Sequence, residues 1–208
     1  MWIQVEHALE FTYSEFVSES RMELRIEPRS TVHQSLRSFA LAIGPPARVH
    51  RYTDWNGNVV HHFGVGSYHE RIEVLATSLV ETHPVMTALE DVSEAPLDPS
   101  YLGSLREWTL FAGPVVSSPA LEAFASNLPS SDGSTLGQIV LETGALIRDH
   151  LAYEQGVSNY ASTTDHLLES GVGVCQDFAH MQIALLRMRE IPARYVSGYL
   201  HLGTGEAA

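Results

Sequence analysis

Lysine is missing from this sequence: all twelve basic residues are arginine, against 25 Asp and Glu, so the formal net charge is -13 with the eleven histidines neutral. Phosphate backbones and anionic lipid headgroups attract the opposite sign, which argues against nucleic acid and membrane as partners. Without lysine the chain cannot cross-link into isopeptide polymers through its own side-chain amines. Cysteine is reduced to one residue, Cys175. No internal disulfide can form, and that suits a reducing compartment. No apolar run reaches the about 20 residues that a membrane helix needs. The start, Met1-Trp2-Ile3-Gln4-Val5-Glu6-His7, has no basic region leading into an apolar stretch. These absences together predict a cytoplasmic protein.

What is present describes a folded chain. Over 208 residues, 44% hydrophobic and 18% charged, a sizeable core can form without staples. The first part alternates with period two: Ile3, Val5, Leu9, Phe11 and Tyr13 share a parity, and Met22, Leu24 and Ile26 alternate with charged residues. Phe39, Leu41 and Ile43 repeat the pattern, as do Ile72, Val74 and Ala76. Asp54-Trp55-Asn56-Gly57-Asn58 supplies an Asn-Gly for a hairpin between middle strands. An N-terminal antiparallel sheet or sandwich over 1–85 is expected.

Prolines and carboxylates then gather without a sustained period, and 86–100 reads as an acidic linker. Beyond it the repeat becomes helical, so the fold class is α+β with a second domain over 101–208. Ser118-Pro119 is a cap followed by a first-turn proline. Leu136, Ile139, Val140, Ile147 and Leu151 predict an amphipathic helix running to about Glu154. Ser162-Thr163-Thr164-Asp165 starts a short helix that Gly171 ends.

The segment that carries chemistry is Gly171-Val172-Gly173-Val174-Cys175-Gln176-Asp177-Phe178-Ala179-His180. Two glycines precede the cysteine, and a helix-favouring run begins with it and stops before Pro192. Cys175 is thereby placed at a helix N-terminus, where free N–H groups and the helix dipole favour the nucleophilic thiolate. The same N–H groups suit the oxyanion formed when sulfur attacks a carbonyl. Gln176, Asp177 and His180 are candidates for oxyanion or supporting roles. His180 lies five residues on, about 140° around the helix, and points away from the sulfur. A buried supporting role fits it better than that of a base. Phe178, Ala179, Met181, Ile183, Ala184, Leu185, Leu186 and Met188 make the helix apolar on most sides, as in a central buried helix. Ala193 to Leu200 reads as a strand returning beside it, with His201 at its end as another base candidate. Free cysteine is also commonly just a small buried hydrophobe, which is the plainer alternative for Cys175.

On these residues the sequence resembles the bacterial transglutaminase-like family of the papain-like cysteine enzyme superfamily. Gly173-Val174-Cys175-Gln176-Asp177-Phe178-Ala179-His180 carries the resemblance, continued by Ile191-Pro192-Ala193-Arg194-Tyr195-Val196-Ser197-Gly198-Tyr199-Leu200. Thr163, Thr164 and Asp165 sit where the family places a short preceding helix. The β-rich first half, with its Asp54 to Asn58 turn, is similar to the family's N-terminal region. The resemblance implies an incomplete papain-like core, a Cys-His-Asp arrangement with Cys175 as nucleophile, and a protein or peptide amide as substrate, with acyl transfer to amine or water. It also implies a departure. The family carries its His in a Ser-His-Ala-Trp-like strand beyond the segment matching Tyr199-Leu200, and its Asp on the strand after that. No Ser-His-Ala-Trp occurs here, and the last residues, Gly203 to Ala208, fall in what looks like the loop before it. The expectation is a chain without its catalytic His and Asp, either a fragment or a shortened form. The competing reading is a non-catalytic binding or assembly module that keeps the fold.

Other candidates are weaker. His50, His61, His62 and His69 cluster in the β-rich half, but adjacent strand residues face opposite ways and no tight carboxylate pattern joins them, so no metal is expected. Gly171 and Gly173 lack the third glycine and the preceding strand of a dinucleotide loop, and no cofactor is expected.

Overall fold

The computed structural model describes residues 1–84, 87–93 and 105–200. It is an α+β chain dividing into two compact units between residues 85 and 86, with the segment from 198 joining the first. Among the described residues no helix is long and apolar enough to cross a membrane.

The first unit is two three-stranded antiparallel sheets. Strands β1 (Trp2–Val17), β6 (His69–Thr82) and β3 (Gln34–Gly44) form one, in that order; β2 (Ser20–Leu24), β5 (Val59–Val65) and β4 (Val49–Thr53) form the other. Alternation decides which side chains face inward. Phe63 and Val65 of β5 join Ile72 and Val74 of β6 and Leu24 of β2 in one buried cluster, flanked by Leu9, Phe11, Leu41 and Ile43. The sheets thus share a core between them, as a sandwich does. Asp54 organises the β4–β5 turn: its carbonyl accepts from Gly57 N–H at 2.9 Å and its carboxylate from Asn58 N–H at 2.8 Å. Gly57 takes the left-handed φ of 77° that this loop requires.

Among its described residues the second unit holds the α-helices α1 (Pro119–Ala125), α2 (Leu136–His150), α3 (Thr164–Ser170) and α4 (Cys175–Met188), and a two-stranded parallel pair, β7 (Ala152–Tyr153) with β8 (Val172–Gly173). Local sequence sets the helix ends. Ser118 Oγ accepts from Leu121 N–H with Pro119 in the first turn. Thr135 and Gln138 form a capping box for α2. Thr163 caps α3, and Gly171 ends it in the left-handed conformation. Met181, Ala184 and Leu185 of α4 are fully buried against Leu121, Ile147 and Leu167, so α4 is the central helix.

Three differences from the sequence-based expectation have physical causes. Helix α2 stops at His150 rather than near Glu154, because Ala152 N–H bonds Gly171 O and Glu154 N–H bonds Gly173 O, which draws the chain into the β7–β8 pair. Residues 89–92, inside the stretch read as linker, are docked on the start of α2. Gly137 N–H donates to Val92 O at 2.9 Å and Thr135 Oγ1 to Glu90 O at 2.6 Å, which gives the Gly137 amide an acceptor that the capping box does not supply. Residues 193–200 form no strand. A strand exists only by backbone pairing, and no described strand pairs with them; instead the segment is held by Ala193 N–H on Trp108 O, by the Arg187 guanidinium on Ala193 O and, at its end, by the Tyr199 hydroxyl against His7 Nδ1 of β1 at 2.7 Å. The sheet expected beside the cysteine helix is therefore only the β7–β8 pair among the described residues.

Candidate active site around Cys175

Cys175 is the first residue of α4, and it is exposed. The two glycines before it do different work. Gly171 supplies a positive φ; Gly173 supplies room. A Cβ on Gly173 would meet Leu167 Cδ1 at 2.7 Å and both Cβ and Oδ2 of Asp177 at 3.0 Å, so only glycine lets Asp177 fold back against the helix start.

That return sets the geometry of the site. Asp177, 3% exposed, accepts through Oδ2 from Val174 N–H at 2.8 Å and from the Ser158 hydroxyl at 2.5 Å. Asp177 N–H in turn donates to Val174 O at 3.0 Å. This is half of a capping box: Val174 has no side-chain acceptor, and the third helical residue ties down the residue before the helix. The carboxylate also lies at the positive end of α4. Because Asp177 uses the Val174 amide, the donors left free at this helix end are the backbone N–H groups of Cys175 and Gln176, which have no acceptor among the described residues. Gln176 is half-buried.

His180 is buried on α4, three residues beyond Asp177. Burial holds its pKa below the ordinary histidine value, and the Asp177 charge opposes that only in part. Its ring packs on Tyr195 with centroids 5.2 Å apart, and its Nδ1 is buried without a partner among the described residues, as is Asp177 Oδ1. A neutral imidazole among α4's packing contacts supports the helix. No described residue hydrogen bonds to the Cys175 sulfur, and His201 lies outside the described residues.

The histidines of the first unit are dispersed. His61 is buried, bonded through Nε2 to Glu27 at 2.8 Å and stacked on Phe39; His69 bonds Ser20 and the Ser67 carbonyl. Among the described residues no three His, Cys, Asp or Glu side chains converge on a common point.

With this geometry in place, comparison with known proteins gives the class. A model of the bacterial transglutaminase-like N-terminal region matches residues 3–81, and one of the transglutaminase-like superfamily matches residues 123–207. The chain belongs to the bacterial transglutaminase-like family. An uncharacterized protein of Mycobacterium leprae is 29% identical over 203 residues, 97% of this chain and 72% of that relative. Uncharacterized proteins of Mycobacterium tuberculosis and Mycobacterium bovis are each 30% identical over 207 residues, 95% of this chain and 65% of theirs. The chain thus spans about two thirds of the length of these relatives. The fold is similar to that of a protein provisionally named a cysteine protease from Cytophaga hutchinsonii, with a TM-score of 0.67, 20% identity, and coverage of 92% of this chain and 67% of that one.

Sequence reasoning did not find Ser158 or Tyr195. Ser158 sits in a turn-rich loop, and nothing in a 19-residue separation from Asp177 announces their bond. Tyr195 fell inside the supposed strand, where alternation gave it no particular role.

Proposed function

We propose that this chain carries the nucleophile half of a cysteine acyl-transfer or peptidase-like enzyme. Its thiolate attacks the carbonyl of a protein or peptide amide, the C–N bond breaks with loss of the amine, and the thioester passes its acyl group to water or to another amine. The observation that carries this reading is the exposed Cys175 at the head of a buried helix, with the amides of Cys175 and Gln176 unoccupied beside it. Asp177 and His180 position and support α4. Water as acceptor is favoured over an amine, because bulk water competes well unless a site excludes it and Cys175 is open to solvent.

The described residues bring no base to the sulfur, and general-base help is worth roughly 10²- to 10⁴-fold. Efficient turnover therefore needs a histidine from outside them. The test is to read the gene onward from the Ala208 codon and assay its product for peptide-amide hydrolysis and amine incorporation. The reading expects one of these activities, abolished by Cys175→Ala. An intact native protein with neither activity, or with activity that survives the substitution, leaves the binding or assembly module as the function.

A further inference from the structure

We propose that the first unit binds a small carboxylate bearing an apolar group, in the pocket between the Glu27–Ser30 segment and the β4–β5 turn. The pocket, about 360 Å³, is lined by an apolar floor of Pro28, Leu36 and Val59 and by a polar rim of Arg29, Ser30 and Arg51, with the ion-paired Glu27 also in its wall.

Each rim side chain keeps donor capacity that its partners among the described residues do not use. Arg51 gives Nε and Nη2 to the Glu27 carboxylate, at 3.0 and 2.7 Å, and keeps Nη1. Glu27 is well buried, and His61 also bonds it, so its charge is compensated before any ligand arrives. Arg29 pairs with no carboxylate among the described residues; its bond is Nη1 to Asn56 O at 3.3 Å. Most arginines of this unit, Arg21, Arg25, Arg37, Arg51 and Arg71, are ion-paired, so an unneutralised guanidinium beside a pocket stands out in a chain of net charge -13. Ser30 Oγ accepts from Leu36 N–H at 2.9 Å, and its own proton has no acceptor among the described residues.

The rim is also held in place. The Arg29 guanidinium lies against Gly57, where a Cβ would stand 3.0 Å from Nη2. Arg29 O accepts from the Gln34 side chain at 2.5 Å, and Thr31 N–H donates to Gln34 O at 2.8 Å. Such a fork matches one carboxylate in bidentate fashion. The apolar floor below it has nothing to offer the further charge of a dianion, whereas an aliphatic substituent would cover it. A carboxylate on a branched aliphatic body, such as an acylated C-terminal leucine, meets both requirements.

The test is a titration of the intact chain followed by amide NMR, with N-acetylleucine, N-acetylleucinamide and inorganic phosphate as probes. N-Acetylleucine should saturate shifts at the Ser30 and Gly57 amides, and the neutral amide and phosphate should bind roughly tenfold or more weakly, as expected for loss of a charge-assisted pair or of apolar contact. Arg29→Gln should weaken N-acetylleucine by a similar factor. Arg48→Gln, the same charge change at an exposed residue outside the pocket, should leave it unchanged. Equal binding of acid and amide, equal or tighter binding of phosphate, no saturable shift, or an Arg29→Gln variant that binds normally overturns the proposal.

Discussion

Replacing Asp177 by alanine removes a buried carboxylate that ties the start of α4 to Ser158 and to the backbone before the helix. Two hydrogen bonds to the carboxylate disappear, from Val174 N–H and from Ser158. Bonds to a charged acceptor are worth about 1.5–3 kcal/mol each, and loss of a helix cap about 0.5–2 kcal/mol. Against this, the substitution removes a buried charge whose Oδ1 has no described partner, which returns part of the cost. The net expectation is a destabilisation of about 2 kcal/mol, or roughly 4–8 °C in Tm for a chain of this size. Asp177→Asn keeps an acceptor without the charge and should lose about half as much. Gly173→Ala should act on the same bond from the other side, since its Cβ would reach Asp177 Oδ2 at 3.0 Å; overpacking of this kind costs about 1–3 kcal/mol. Because the two changes break one arrangement, the Gly173→Ala/Asp177→Ala double variant should cost less than the sum of the singles. Thermal unfolding of these four variants beside the native chain, followed by circular dichroism, measures this. A loss below about 0.5 kcal/mol for Asp177→Ala, or simple additivity of the pair, refutes the claim that this carboxylate fixes the helix start.

Two further outcomes follow from the second unit. His180 has a depressed pKa, so the unfolded chain binds its proton more readily than the folded one; stability is fully present above the unfolded value near 6.5 and falls as pH drops below it. Urea unfolding between pH 7 and 5 should show this decline, and His180→Gln should flatten it; an equal slope in the variant counts against a neutral buried imidazole. Gly137→Ala would place a Cβ 1.6 Å from Leu89 O, so residues 89–92 must leave the start of α2. Hydrogen exchange at the amide of position 137 should then be at least tenfold faster than in the native chain while that of Leu185 stays slow, and protection retained at position 137 would contradict the docking.

What could be read from the residues was whatever depends on neighbours in the chain. Period-two alternation located β1, β3 and β6, because one side of each faces the shared core. Ser118-Pro119, Thr163 and Gly171 marked helix ends, since caps act within a few residues. The placement of Cys175 at a helix start followed from the same local rules. What depended on distant partners was not legible. The Ser158–Asp177 bond, the docking of residues 89–92 on Gly137 and the absence of a strand at 193–200 are each settled by a partner far along the chain. Alternation in Ala193 to Leu200 marks a segment able to pair, and pairing also needs a neighbour. The Arg29 pocket went unnoticed because it joins a loop, a turn and three strands that share no sequence pattern.

An exposed Cys175 sulfur at the head of α4 should be able to accept an acyl group. Incubating the native chain with 4-nitrophenyl acetate and locating the acetyl group by peptide mass spectrometry tests it without needing the natural substrate: the S–C bond forms and nitrophenolate leaves. One acetyl thioester should form, on Cys175, and be absent from Cys175→Ala. An unmodified cysteine alongside acetylated histidine or chain terminus would contradict it.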